Sequence, residues 1–341
     1  MARRPRVPSP VPPRDGVSPT RVRLPEGGGH GTVADFLTDR FPPHDAGFTR
    51  DLFDRGDVFD ADGTPLDFDA AFVPGGHVWV FRPLPDEPEL PGDLPILYED
   101  DHVLAVDKPH SLPVTPRGFF VRQTAVTKLR NSTGNEELSP AHRLDRLTAG
   151  VLLFAKTREA RGPLQGLFEL QRVSKTYELI APLEPMAPER PEADDVVPPA
   201  NLPKYPAEPH MVRSRIVKDS SSLQAREAEG PPNAVTGVVL LEELGDSGWG
   251  LYGANPLSGK THQIRVHMNS LGRPICGDPL YPQIRNDELE RPIGRLQLLA
   301  REILLKHPFT QEYLRIRSDR NLGISTFADS TGIGAADREE P

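Results

Sequence analysis

Residues 141–157 read AHRLDRLTAGVLLFAKT, a knot of ionisable side chains running directly into an apolar stretch. His142, Arg143, Asp145 and Arg146 crowd the polar half, and GVLLFA has the unbroken apolar pattern of a strand buried on both faces. A carboxylate set among cations at the mouth of such a strand is favoured in its ionised form. Ionised, it can act as a nucleophile or a base. The same residues also read as a surface Asp–Arg cluster of little energetic worth.

The flanking sequence supplies a mixed set of elements. ILYEDDHVLAVDKP gives two β-rich runs around an acidic turn, TAVTKLRNS a helix, REARGPLQGLFEL a helix and KTYELIAPL a strand. VTGVVLLEEL and WGLYGANPL read as a strand pair, and LQLLAREILLKHP and EYLRIRS as further strands. THQIRVHMNSLG reads as a helix with Thr261 as N-cap and Gly272 as its stop. Ahead of these lies a short module, with a helix at VADFLTDRF, two strand-like runs around Asp62-Gly63 and a strand at HVWVF. The pattern predicts an α+β fold with much antiparallel pairing. The expected organisation is a disordered, basic and Pro-rich start (1–29), a small acidic α/β module (30–83) and a linker (84–94). A main domain (95–320) follows, with a Pro-rich, weakly patterned insertion (184–233) that holds one strand at HMVRSRIVK, then a disordered tail (321–341).

Composition narrows the class of function. The chain has 341 residues, 37% hydrophobic, and one cysteine, Cys276, so no internal disulfide or Cys-built metal cluster is available. No apolar run approaches the roughly 20 residues that cross a bilayer, and residues 1–13 lack the apolar core of a secretion signal. A cytoplasmic location and no membrane partner are therefore expected. The net charge of −9 argues at first against nucleic acid. Its distribution alters that view: residues 30–101 hold 4 Lys/Arg against 17 Asp/Glu, whereas residues 142–180 hold 7 against 4 and residues 257–320 hold 11 against 7. The segments that carry chemistry are mildly basic.

HRLDRLTAGVLLFAKT resembles the catalytic motif of the RluA-type RNA pseudouridine synthases. The resemblance extends in order through YEDDHVLAVDKPHSLPVTP with its Lys-Pro loop, KTYELIA, PLSGKTHQIRVHMNSLGRPICGDPLY and LQLLAREILLKHP. It implies a long, mainly antiparallel mixed sheet with flanking helices, with the N-terminal module in the place of an S4-type RNA-binding domain. It implies isomerisation of uridine to pseudouridine in structured RNA, with no cofactor and no metal. Family habit puts large-subunit ribosomal RNA slightly ahead of transfer RNA as substrate, and a monomer is expected.

Carried over by residue, the resemblance makes Asp145 the catalytic carboxylate, Arg265 its partner and Tyr177 the group against the flipped uracil. Arg143 would fill the gap left in the RNA stack, since a guanidinium can stack where a base was. Leu298 would line the base pocket. His142, Arg146, Lys175, Lys260, His262 and Gln263 are candidate RNA or base contacts. His262 and His267 stand five apart, which does not match a helical metal pair at i, i+4.

Three features resist the family reading or decoy from it. GANPLSGKT imitates a phosphate-binding loop, but five residues separate its glycines where four are required, and Pro256 removes a backbone donor. Leu298-Leu299-Ala300 stands where relatives commonly carry Leu-His-Ala. The module at 30–83 carries the wrong charge for phosphate. A catalytically silent RNA-binding or ribosome-assembly factor on the same scaffold is the alternative reading. A glycosidase would need a second carboxylate near Asp145, which the motif segments do not supply.

Overall fold

The computed structural model describes residues 9–27, 29–41, 45–84, 86–116, 118–185, 208–285 and 295–323. Residues 1–8 of the expected disordered start, 186–207 of the expected insertion and 324–341 of the expected tail lie outside them.

The chain divides into two units, the first formed by residues 1–88, 117–122 and 130–136. It holds β1 (Thr20–Arg23), α1 (Val33–Arg40), α2 (Ala46–Asp54), β2 (Val58–Phe59) and β3 (His77–Val80). The strands make one sheet in the order β1-β3-β2. Thr32 closes a reciprocal capping box on α1: its Oγ1 accepts from the Asp35 N–H, and Asp35 accepts from the Thr32 N–H. Phe36 and Leu37 of α1 and Leu52 and Phe53 of α2 pack with Val22, Val58 and Val80 in one core. Two sequence expectations need correction. Residues 20–23 are a paired strand rather than part of a disordered start, because the alternation in RVRL turns Val22 and Leu24 to the core. The α2 helix was not anticipated; Asp45 caps it by accepting from the Gly47 and Phe48 N–H groups.

The second unit is built on one long mixed sheet. Its elements are β4 (Ile96–Glu99), β5 (Val103–Lys108), α3 (Ala125–Thr133, whose last residues fall in the first unit), β6 (Ser139–Pro140), β7 (Ala149–Ala155), α4 (Arg158–Glu169) and β8 (Val173–Pro182). They continue with β9 (His210–Lys218), β10 (Ala225–Ala228), β11 (Ala234–Glu243), β12 (Trp249–Pro256), α5 (Gln263–Ser270), β13 (Leu298–Lys306) and β14 (Tyr313–Arg317). The strand order is β10-β9-β11-β12-β8-β13-β7-β5-β4, with β14 on β13 and β6 on β7. Among the described pairings β7–β13 is parallel and the others are antiparallel. The strand expected at HMVRSRIVK is β9, and with β10 it makes part of the stretch taken as an insertion, residues 208–233, a member of the sheet. Its pattern is weak because an inward position of β9 is Ser214, which hydrogen-bonds the buried His267 ring.

Alternation along β5 explains the layering. Val103 and Ala105 meet Ala160 and Leu164 of α4, while Leu104 and Val106 meet Ala125, Val126 and Leu129 of α3. All of β7 is buried, as its apolar run requires. A third core sits beneath α5, where Ile264 and Met268 pack on Leu179, Val238 and Ala254. No helix among the described residues is long and apolar enough to cross a membrane.

Gly150 fixes the junction at the sheet's centre. It sits at φ +111°, and a Cβ there would lie 2.2 Å from the Ala300 carbonyl oxygen, a backbone atom with no freedom to yield. Gly150→Ala is expected to destabilise the protein by ~3 kcal/mol, read as a lowered melting temperature. Gly166 in α4, where an added Cβ meets nothing within 4 Å and no proline follows, is the opposite case: Gly166→Ala should stabilise by about 0.5–1 kcal/mol.

Candidate active site

Asp145 occupies the turn just before β7, closed by the Thr148 N–H donating to the Asp145 carbonyl at 3.0 Å. That turn is held from beneath by side chains rather than by regular structure. Lys108, the last residue of β5, is fully buried, and its Nζ donates to the carbonyls of Pro109, Leu112 and Arg146 at 2.9, 2.9 and 3.1 Å. An ammonium has three protons, and three carbonyls receive them. Burial pulls the Lys108 pKa down to about 7, against the opposing pull of Asp145. The Leu147 carbonyl accepts from His110 Nδ1 at 2.7 Å. Leu144 and Leu147 are buried on either side of Asp145, leaving its side chain 31% exposed.

The partner comes from α5. Arg265 is 2% exposed and makes a two-pronged contact to the fully buried Asp278, Nε to Oδ2 at 2.7 Å and Nη2 to Oδ1 at 2.6 Å. Its remaining nitrogen, Nη1, faces Asp145 Oδ2 at 3.4 Å. Burial works against the charge on Arg265, but the hydrogen bonds and charge of Asp278, with Asp145, outweigh it and push the pKa up. Asp278 is itself held by the N–H groups of Leu280 and Tyr281, and the Arg265 guanidinium lies 5.2 Å from the Tyr281 ring centre. His262 Nε2 stands 3.9 Å from the same Asp145 oxygen. Tyr177, on β8 opposite Ala254 and Ala300, is packed against two of the cores. Burial, helped by the Asp145 charge, raises its hydroxyl pKa well above the usual tyrosine range and keeps it protonated.

Residues 102–270 match the model of a family described as RNA pseudouridylate synthase, and the matched stretch contains Asp145, Tyr177 and Arg265. The chain belongs to the RluA-type RNA pseudouridine synthase family. It is 31% identical over 236 residues to RNA pseudouridine synthase 5 of Arabidopsis thaliana, covering 60% of this chain and 59% of the relative. It is 29% identical over 237 residues to tRNA pseudouridine synthase C of Vibrio vulnificus, covering 66% of this chain and 90% of the relative. To the mitochondrial tRNA pseudouridine(32) synthase of Saccharomyces cerevisiae it is 27% identical over 257 residues, covering 75% and 51%. The chain thus spans between half and three fifths of the Arabidopsis and yeast relatives. The solved structure of human RNA Pseudouridylate Synthase Domain Containing 1 superposes with a TM-score of 0.51 at 22% identity over 70% of this chain and 89% of that one, a likeness of fold.

Within this family frame, the candidates drawn from sequence separate into two groups. Asp145, Arg265 and His262 converge at one point, and Tyr177 is close enough for its ionisation to feel Asp145. Arg143 and Lys260 are exposed, and Arg146 is partly buried. Four others are engaged in the fold. The His142 ring stacks on Phe168 at 4.4 Å and accepts from the Leu153 N–H, and burial lowers its pKa to about 3. Gln263 accepts from Ser258 Oγ and the Lys260 N–H and donates to the Val235 carbonyl and Thr236 Oγ1, so all of its amide is committed. Leu298 is 3% exposed within the core under α5. Lys175 donates to the Ser258 carbonyl at 3.0 Å, tying β8 to the loop before α5, and burial lowers its pKa to about 8.

Thr261 is not the N-cap of α5. His262 takes that position at φ 57°, ψ 21°, with no side-chain cap, because its ring is turned toward Tyr281 and Asp145. Gly272, at φ +71°, ends the helix as its position indicated. The glycine-rich decoy is in part strand: Gly253–Pro256 belong to β12. The sequence reading quoted Asp278 and Lys108 inside motifs without giving either a role. Their signal was a charged residue beside Pro or Gly in an otherwise apolar context.

Two outcomes test this geometry. Arg265→Lys keeps one charge but cannot contact both carboxylates, and should cost about 3–5 kcal/mol in stability, measured by denaturant unfolding. Lys108 holds its proton in the unfolded chain up to its ordinary value of 10.5 but releases it near 7 when folded. Unfolding therefore takes up a proton between those values, and stability contributed through Lys108 rises from pH 7 upward. Melting curves at rising pH should show wild type gaining on Lys108→Met across that window.

Proposed function

We propose that the chain isomerises uridine to pseudouridine within structured RNA, with Asp145 as the catalytic carboxylate. The observation that carries this reading is the buried Arg265, locked by Asp278 and presenting its free nitrogen to Asp145. A carboxylate that must lie against a sugar loses water, and a fixed guanidinium keeps it anionic there. The reaction breaks the N1–C1′ bond, turns the uracil and joins C5 to C1′. Asp145 either attacks C1′ or removes the proton on C2′, and both routes need the anion beside the ribose. Tyr177, held protonated, is placed against the base. The exposed Arg143 fills the stack that the extruded nucleotide leaves.

The substrate class is RNA, and the two relatives named for tRNA make transfer RNA the first to try, with ribosomal RNA beside it. The acidic first unit is left out of the RNA contact surface, since its charge opposes phosphate.

The test is incubation of the protein with total cellular RNA followed by mapping of new pseudouridines. One or a few converted uridines are expected; none would point to the silent RNA-binding reading. Asp145→Asn should abolish conversion while melting temperature and RNA affinity stay near wild type. Appreciable residual turnover would remove Asp145 from its role.

A further inference from the structure

His262 touches the reacting carboxylate's surroundings in a way that the ion pair does not explain. Its Nδ1 lies 3.1 Å from the Tyr281 hydroxyl. That hydroxyl already has two partners on one residue: it donates to the Ala225 carbonyl at 2.8 Å and accepts from the Ala225 N–H at 2.9 Å. A phenol has one proton and two lone pairs. With its proton on the Ala225 carbonyl, the hydroxyl can only accept from the imidazole, so Nδ1 carries the ring hydrogen. The opposite arrangement would set two oxygen lone pairs against each other at 2.8 Å. Burial holds the His262 pKa down near 4 despite the pull of Asp145, so the ring is neutral at physiological pH.

Nε2 is thereby left as an acceptor, 3.9 Å from Asp145 Oδ2, also an acceptor. Two acceptors at that spacing neither bond nor pair, and they suit a donor placed between them. The polar and ring partners of the His262 side chain among the described residues are Tyr281 and Asp145. The carboxylate's task brings it to C1′ or C2′ of the target sugar, and the 2′-oxygen is one bond from C2′. A hydroxyl set between the two acceptors, 3.9 Å apart, can sit at an ordinary hydrogen-bond length of about 2.8 Å from Nε2.

We propose that His262 Nε2, beside Asp145 Oδ2, accepts a hydrogen bond from the 2′-hydroxyl of the target nucleotide, making His262 the residue that distinguishes ribose from deoxyribose at the reacting sugar. The inference rests on the isomerase reading and goes beyond it by naming the group that selects the sugar. The left-handed backbone at His262 guides the choice of variant: Asn is at home there and is too short to reach.

The uridine that wild-type protein converts in total RNA is built into a synthetic stem–loop, once as uridine and once as 2′-deoxyuridine. Dissociation constants are then measured for wild type and His262→Asn. Wild type should bind the ribose form about tenfold tighter, the worth of one hydrogen bond. In the variant the ratio should fall close to one, with affinity for the deoxy form and melting temperature unchanged. Tyr281→Phe, which frees the imidazole tautomer, should lower the ratio too. A variant that keeps the wild-type ratio, or that loses affinity for both RNAs alike, overturns the assignment. If wild type converts no uridine at all, the isomerase reading falls and takes this inference with it.

Discussion

A guanidinium buried at the start of α5 and gripped by a second buried carboxylate is the contact on which the site depends. Burying the Arg265 charge there without Asp278 would be strongly destabilising, and Asp278 in turn accepts from Arg265 and from two backbone N–H groups. Once the pair is made, the direction of Nη1 is set by the fold rather than by a flexible side chain. Asp145 then meets a partner already in place, and no reorganisation is required when the carboxylate is covered.

The other half of the site is a turn with little regular structure of its own. Its rigidity comes from donors beneath it: the Lys108 ammonium under the Arg146 carbonyl and the His110 ring under the Leu147 carbonyl. Side chains thus do for the turn what a strand partner would do, and they leave the Asp145 carboxylate facing outward. The parallel β7–β13 contact behind it is so close that only glycine fits at position 150. Tightness in the sheet and freedom at the carboxylate are two sides of one arrangement.

Much of this was legible in the sequence, for identifiable reasons. The buried run of β7 and the β11–β12 pair announce themselves by apolar pattern, and α1 by the pattern VADFLTDRF. Asp145 and Arg265, 120 residues apart, were joined through family resemblance, because no periodicity relates them. What escaped was governed by tertiary context. The first strand hid in a Pro- and Arg-rich stretch with only Val22 and Leu24 as inward residues. The strand at HMVRSRIVK was legible as β9, but β10 beside it, AREA, has no apolar run to mark it. His142 and Gln263 have the chemistry of ligand contacts, and only the fold reveals that Phe168, Ser258 and Thr236 already occupy them. Asp278 looked like the end of a turn motif, and nothing local marks it as the counter-ion of a helix residue.

The ratio of charges at this spot has a further effect. One guanidinium stands between two carboxylates, so these three side chains sum to one negative charge, while Arg143 and Lys260 lie exposed. A polyanion approaching it is repelled at the centre and attracted at the rim. On the proposed reading, this favours entry of a nucleotide with its uncharged sugar edge leading and its phosphates trailing outside, a sorting of orientations that precedes any specific contact.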